Sequence, residues 1–179
     1  MIVLVTGGSA SGKSEIAERI AVSLSESRVY IATMQPFGDE AAARIRRHQE
    51  QRSGRGFETI ERYHSIENLM LPRGTGCALL ECLSNLVANE MFSRNVPEAE
   101  IVAKIYDGFL ALRQKVLHLV VVTNEIFSDE KCYDEHMRRY LRALGACNVL
   151  LAKLADTVVE SVVGIPVVLK GELGVENSR

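Results

Sequence analysis

Short apolar runs recur along the chain, separated by stretches in which apolar residues follow one another at three- and four-residue spacing. Runs of this length predict strands, and the spaced pattern predicts amphipathic helices. The predicted strands cover residues 2–5, 28–33, 57–61, 77–82, 118–123, 157–163 and 166–170. The last two strands are expected to form a hairpin around Gly164.

The predicted helices alternate with these strands. They cover residues 16–24, 40–52, 83–92, 98–116, a segment from 133 to about Gly145, and 148–155. Such alternation predicts an α/β fold in which helices flank a mostly parallel central sheet. The length of 179 residues fits a single domain that spans residues 1–179.

The sequence between the first predicted strand and the first helix matches G-x-x-x-x-G-K-[ST], the pattern of a phosphate-binding loop. It consists of Gly7, Gly8, Ser9, Ala10, Ser11, Gly12, Lys13 and Ser14. The glycines allow backbone N–H groups to surround a phosphate. Lys13 is expected to reach the β- and γ-phosphates, and the Ser14 hydroxyl is expected to ligate Mg²⁺. The motif in this setting predicts a P-loop NTPase-like domain that binds a nucleoside triphosphate.

Composition narrows the classes of function. A net charge of −2 disfavours binding of nucleic acid or a membrane through bulk charge. No apolar run reaches the length of a membrane span, and the chain opens with a predicted strand and not with a signal peptide, so a cytoplasmic location is expected. The four cysteines have no CxxC spacing, which disfavours a zinc site or a disulfide framework.

Several polar residues are expected where the parallel strands end, which is where ligands gather in such sheets. They are Thr33, Glu81, Asn124 and Glu125. Glu81 either reaches Mg²⁺ through a water, as a Walker B carboxylate does, or makes a favourable contact with the next helix N-terminus, and the first role is preferred. Glu125 either acts in phosphoryl transfer or caps the next segment.

His48 lies on the predicted helix 40–52, on one face with Ala41, Ile45 and Arg52. Arginines surround it in the sequence, namely Arg44, Arg46, Arg47, Arg52 and Arg55. Such a run is either a solvated basic helix or a positive field that attracts a triphosphate and keeps the imidazole neutral and nucleophilic. Composition alone does not decide between the two.

Taken together, these segments resemble the family of bifunctional adenosylcobinamide kinases and adenosylcobinamide-phosphate guanylyltransferases. The matches are V-T-G-G-x-x-S-G-K-S at residues 5–14, Y-I-A-T at 30–33, R-I-x-x-H at 44–48, L-L-E-C at 79–82, V-T-N-E at 122–125 and G-I-P at 164–166. Many families share the phosphate loop. The combination of Y-I-A-T, R-I-x-x-H and T-N-E is more specific.

The resemblance implies two reactions. ATP or GTP bound at the loop phosphorylates the hydroxyl of the aminopropanol arm of adenosylcobinamide. The histidine that matches His48 then attacks the α-phosphorus of GTP, and GMP passes from this histidine to the phosphorylated corrinoid, giving adenosylcobinamide-GDP. The family also suggests a homotrimer, with the corrinoid between subunits.

The matching positions imply further site residues. Guanine needs a carboxylate that accepts from its N1–H and N2–H₂ groups, and the family position assigns this role to Glu81, in competition with the Mg²⁺ role. Thr33 and Glu61 match other nucleotide-binding positions. The chain departs from the family's pattern at Ala10, where arginine is common, and at residues 126–131, where a glycine-containing loop is usual. The second departure bears on corrinoid specificity.

Two other functions are compatible with the sequence. One is a P-loop kinase of a small metabolite that does not use His48 covalently, which the altered loop at 126–131 favours. The other is a GTP-binding regulatory or assembly protein that transfers nothing. The complete loop motif and two carboxylates at strand ends count against the regulatory protein.

Overall fold

The computed structural model describes residues 1–36, 38, 46, 50, 54–127 and 133–173. Seven strands lie in this part of the chain: β1 (Ile2–Thr6), β2 (Arg28–Ala32), β3 (Phe57–Glu61), β4 (Cys77–Leu80), β5 (His118–Val122), β6 (Thr157–Val162) and β7 (Ile165–Lys170). They form one sheet in the order β3-β2-β4-β5-β1-β6-β7. All neighbouring pairs are parallel except β6 and β7.

Helices cover both faces of this sheet. They are α1 (Lys13–Leu24), α2 (Leu83–Ala88), α3 (Glu98–Arg113) and α4 (Glu135–Leu154), with a 3₁₀ helix at Ile66–Asn68 and a π-helical turn at Asn89–Ser93. Helix α1 packs on one apolar face, and α2, α3 and α4 pack on the other. Strands buried on both faces are apolar at nearly every position, which is why they appear as continuous runs in the sequence. The predicted α/β class with a mostly parallel sheet is confirmed.

Two helix predictions need correction. The predicted helix 83–92 ends as an α-helix at Ala88 and continues as the π-helical turn. The predicted end near Gly145 is wrong, because α4 continues to Leu154. Burial of Leu144, Cys147 and Leu151 on both sides of Gly145 outweighs the cost of about 1 kcal/mol for a glycine inside a helix. The predicted helix 40–52 lies outside the described residues, apart from residues 46 and 50. None of the described helices is both long and apolar enough to cross a membrane.

The C-terminal hairpin is confirmed, and its second strand is tied to the end of α4. Lys170 on β7 donates hydrogen bonds to the carbonyl oxygens of Ala152, Lys153 and Ala155 at 3.1, 3.0 and 2.6 Å. The last carbonyls of a helix lack partners within the helix and carry the negative end of its dipole. The Lys170 ammonium therefore caps α4 and fixes β7 to it.

Replacing Lys170 by methionine, which keeps most of the stem and removes the charge, should lower the free energy of unfolding by about 1 kcal/mol, because the carbonyls are partly solvated. For a chain of this size the expected fall in Tm is about 2–4 °C, measured by thermal denaturation. Lys153→Met is the control, since Lys153 is exposed in the same last turn of α4. Equal losses for both variants would contradict specific capping.

Candidate phosphate-binding site

The motif at residues 7–14 directly follows β1, and its last two residues are the first two of α1, as the motif predicts. Gly12 is the N-cap of α1 and has φ of 87°, a left-handed conformation that favours glycine. At Gly7 a side chain has no room, because a Cβ atom would lie 2.6 Å from Ser11 Oγ and 2.8 Å from the carbonyl oxygen of Ser161. Both glycines are therefore required by the local backbone. Ser9 and Ala10 are exposed at the tip of the loop.

Lys13 folds back over this loop. Its Nζ atom donates to the carbonyl oxygen of Gly8 at 2.7 Å, and the residue is only 8% exposed. Burial lowers the pKa of the Lys13 ammonium. The half-buried Ser14 follows in the first turn of α1. A buried cation and the N-terminus of a helix thus meet at one loop, an arrangement that suits a phosphate.

Two neighbouring segments fix the loop from outside. The backbone N–H of Glu125 donates to the carbonyl oxygen of Gly7 at 2.9 Å. From the C-terminal hairpin, Ser161 Oγ and the N–H of Gly164 donate to the carbonyl oxygen of Ser11 at 2.6 and 2.8 Å. No sequence motif marks Ser161, because its partner is a backbone carbonyl, which every residue type has.

Thr33 and Glu81 are brought together at the ends of β2 and β4. Glu81 Oε2 accepts hydrogen bonds from the N–H groups of Thr33 and Met34 at 2.8 and 3.1 Å. The Thr33 hydroxyl donates to the carbonyl oxygen of Cys82 at 3.0 Å. Both Thr33 and Glu81 are buried. The carboxylate therefore holds the turn after β2 in place.

Residues after β4 and β5 form a second set of contacts at the same edge of the sheet. The Asn124 amide Nδ2 contacts Cys82 Sγ at 3.4 Å, and its backbone N–H donates to Ser84 Oγ at 3.3 Å. Glu125 Oε1 accepts from the N–H of Phe127 at 3.0 Å. This last bond lies within the turn after β5, and both roles of Glu125 stay predictions.

Glu61 ends β3, at the far side of the sheet from the loop, and pairs with a tyrosine. Tyr63 donates its hydroxyl to Glu61 Oε2 at 2.6 Å. Burial, and then this hydrogen bond to the Glu61 carboxylate, raises the pKa of Tyr63 to about 12. The Asn89 amide donates to the carbonyl oxygens of Thr33 and Tyr63, both at 2.9 Å. Asn89 thus links the ends of β2 and β3, and no sequence motif indicates this role.

His48 and three of its neighbouring arginines, Arg44, Arg47 and Arg52, lie outside the described residues. Arg46 is exposed. Arg55 pairs with the buried Glu18 of α1, at 2.8 Å, and its carbonyl oxygen accepts from Arg28 at the start of β2. Because β2 begins at the edge of the sheet opposite the loop, Arg55 does not contribute to a positive field at the strand ends.

Comparison with known proteins identifies relatives along nearly the whole chain. Residues 3–169 match the family model described as cobinamide kinase / cobinamide phosphate guanyltransferase. The chain is 32% identical over 183 residues to the bifunctional adenosylcobalamin biosynthesis protein CobU of Escherichia coli (strain K12). This alignment covers 95% of this chain and 100% of the relative. The chain is 33% identical to CobU of Salmonella typhimurium with the same coverage. It is 29% identical over 175 residues to CobP of Pseudomonas aeruginosa, with coverage of 94% and 97%.

Proposed function

The chain belongs to the cobinamide kinase / cobinamide phosphate guanyltransferase family, and we propose that it phosphorylates adenosylcobinamide with ATP or GTP and then converts the product to adenosylcobinamide-GDP. Relatives of this length carry both activities in one chain of adenosylcobalamin biosynthesis, so the chain is a transferase of phosphorus-containing groups. The observation that carries the proposal is the glycine loop with its buried Lys13, within a family match over residues 3–169.

The kinase reaction is assigned to residues 7–14. Phosphoryl transfer needs positioning and neutralisation of charge more than covalent chemistry. The loop N–H groups and the N-terminus of α1 supply fixed dipoles, and the Lys13 ammonium supplies a charge. Lys13 Nζ donates to the Gly8 carbonyl oxygen at 2.7 Å. The flexible side chain of Lys13 allows the ammonium to move from this carbonyl to the β- and γ-phosphates. The hydroxyl oxygen of adenosylcobinamide then attacks the γ-phosphorus and loses its proton, the bond from that phosphorus to the oxygen bridging the β-phosphate breaks, and ADP or GDP leaves.

Mg²⁺ fits this site by the chemistry of its donors. The described residues contain no group of three or more His, Cys, Asp or Glu side chains that could hold a metal by themselves. Mg²⁺ bound with a nucleotide usually needs only one or two protein oxygens in addition to phosphates and waters. The Ser14 hydroxyl offers such an oxygen at the start of α1. When bound, the ion would neutralise charge on the transferred group.

The second reaction is assigned to His48, on the basis of the family resemblance of R-I-x-x-H. The imidazole attacks the α-phosphorus of GTP, the bond to the bridging oxygen of the β-phosphate breaks, and pyrophosphate leaves. A phosphate oxygen of adenosylcobinamide phosphate then attacks the same phosphorus and releases the imidazole. A neutral histidine is a suitable nucleophile for such a transfer.

Glu81 is assigned to guanine in preference to Mg²⁺. Its carboxylate is held by N–H groups that follow β2, while the phosphate loop follows β1. In the sheet order, β2 and β1 lie on opposite sides of β4. The contacts of Glu81 thus hold it on the side away from the loop, which supports binding of a base over binding of the loop's metal ion. The Mg²⁺ role through a water stays a prediction, as does nucleotide binding by Thr33 and Glu61.

Glu81→Gln separates the two roles. Gln keeps an oxygen that can accept from Thr33 and Met34 but does not pair with both guanine donors. The wild type should prefer GTP over ITP, which lacks the N2 amino group, in the guanylyl-transfer step, and the variant should lose most of that preference. The Mg²⁺ concentration for half-maximal rate should not change. Glu125→Gln serves as the control. A raised Mg²⁺ requirement with the GTP preference intact would assign Glu81 to the metal.

The remaining expectations concern assembly and location. We propose that residues 1–179 act as one domain, that three copies assemble with the corrinoid between them, and that the enzyme works in the cytoplasm. A molecular mass in solution three times that of one chain, measured by light scattering, is the expected result for the trimer. The mass of a single chain would contradict it.

The direct test of the two activities supplies each nucleotide separately. With adenosylcobinamide and ATP alone, purified protein should form adenosylcobinamide phosphate and stop there. Addition of GTP should convert this product to adenosylcobinamide-GDP with release of pyrophosphate, followed by liquid chromatography and mass spectrometry. Accumulation of the phosphate without conversion would instead identify a kinase that lacks nucleotidyl transfer.

A further inference from the structure

We propose that Ser161 and Gly164, on the C-terminal hairpin, are positioning residues for the phosphate loop. By holding the Ser11 carbonyl they orient the N–H of Gly12 towards the bound phosphates. The inference rests on the proposed function in one respect, namely that the loop binds a nucleoside triphosphate. It concerns residues that lie about 150 positions away from the loop in sequence, and that no phosphate-loop motif contains.

The Ser11 carbonyl is fully engaged by the hairpin. Ser161 Oγ donates to it at 2.6 Å and the backbone N–H of Gly164 donates to it at 2.8 Å. A carbonyl oxygen has two lone pairs, so these two donors saturate it. Ser161 is only 3% exposed, which keeps water from replacing its hydroxyl.

Fixing this carbonyl also fixes the next N–H group. The peptide bond is planar and trans, so the C=O of Ser11 and the N–H of Gly12 point in opposite directions. With the carbonyl directed at the hairpin, the N–H of Gly12 points away from the hairpin. That N–H is the donor at the N-cap of α1, where an anion is best placed to interact with the helix.

The hairpin also lies against the two glycines that the local backbone requires, leaving no room for a side chain at Gly7 and little at Gly12. A Cβ atom at Gly12 would lie 3.1 Å from the Cα of Gly164, and one at Gly7 would lie 2.8 Å from the carbonyl oxygen of Ser161. The backbones of loop and hairpin therefore touch directly. The absence of a side chain at these glycines therefore allows the hairpin to contact the loop, as well as allowing a phosphate to approach it.

The turn of the hairpin shows that its position is enforced. Val163 and Gly164 both have positive φ, 45° and 84°, as a two-residue turn between β6 and β7 requires. A β-branched residue is unfavourable in this conformation, and Val163 is 84% exposed, so burial does not compensate. Strained residues persist where the surroundings fix them, and here the N–H of Gly164 is fixed on Ser11.

The test compares Ser161→Ala with Ser23→Ala. Ser23 Oγ donates to the carbonyl oxygen of Ile20 at 2.7 Å, so its loss removes the same kind of bond within α1, away from the loop. For each protein we would measure Tm, the Kd of ATP and of inorganic triphosphate by calorimetry, and KM and kcat for phosphorylation of adenosylcobinamide.

Ser161→Ala should weaken binding of both ligands by about three- to tenfold, the equivalent of one hydrogen bond. KM for ATP should rise by the same factor while kcat changes less, because the contact acts on bound nucleotide throughout the reaction. Ser23→Ala should leave both affinities unchanged. Wild-type affinity in Ser161→Ala, or equal weakening in Ser23→Ala, would overturn the inference while the proposed function stands. Failure of the wild type to bind triphosphate would contradict the proposed function, and the positioning role with it.

Discussion

Replacing Lys13 by alanine is expected to lower kcat/KM for the phosphorylation of adenosylcobinamide by roughly 10³, comparable to the loss of one preorganised charge or donor at a transition state. Lys13 is buried beside the Gly8 carbonyl, so its ammonium is already inside the loop before a nucleotide arrives. A charge held in a poorly solvated site interacts strongly with the phosphates. Initial rates at several ATP concentrations would give kcat and KM separately.

Lys115→Ala is the matched control for this variant. Lys115 Nζ donates to the carbonyl oxygen of Leu69 at 2.8 Å, a distance close to that of the Lys13 hydrogen bond. Lys115 itself is far from the loop in sequence and does not contact it. Its replacement should leave kcat/KM within about twofold of the wild type. If Lys13→Ala kept its activity, or if both variants lost it equally, residues 7–14 would not be the kinase site.

The second large effect is expected at His48. His48→Ala should retain phosphorylation of adenosylcobinamide and lose transfer of GMP to adenosylcobinamide phosphate by a factor of at least about 10³, because removal of a covalent nucleophile leaves only binding and positioning. The two activities can be measured on the same preparation by supplying either adenosylcobinamide with ATP or the phosphate with GTP.

His136→Ala is the control for this substitution, because His136 is exposed in the first turn of α4. It should leave both activities unchanged. Loss of both activities in His48→Ala would indicate a structural role for the residue. Persistence of GMP transfer in His48→Ala would place the nucleophile elsewhere or show that transfer proceeds directly.

The sequence predicts the sheet and the phosphate loop well because both depend on local patterns. The buried strands are apolar at almost every position, and each lies close to its predicted bounds. Residues 7–14 connect β1 to the first turn of α1, since glycine, lysine and serine at fixed spacing describe one local conformation. The helix end predicted near Gly145 is wrong. Glycine often ends a helix, but here burial of the neighbouring residues stabilises α4 beyond Gly145.

The contacts that hold the candidate site together could not be predicted in the same way. Ser161 acts on a backbone carbonyl 150 residues away, and any residue type supplies that carbonyl. Asn89 likewise donates to two backbone carbonyls, those of Thr33 and Tyr63. The position of Glu81 at a strand end is predictable from the sequence, but its hydrogen bonds to the residues after β2 depend on the order of the strands in the sheet.

The central claim is that one chain uses a phosphate loop for phosphorylation and a histidine for nucleotidyl transfer. The most direct test is to incubate the protein with Mg²⁺ and GTP labelled at the α-phosphate, denature it, and locate retained label by peptide mass spectrometry. The account predicts one GMP on the peptide that contains His48, labile to acid, stable to base, and absent from His48→Ala. No retained label in the wild type, or the same label in His48→Ala, would contradict it.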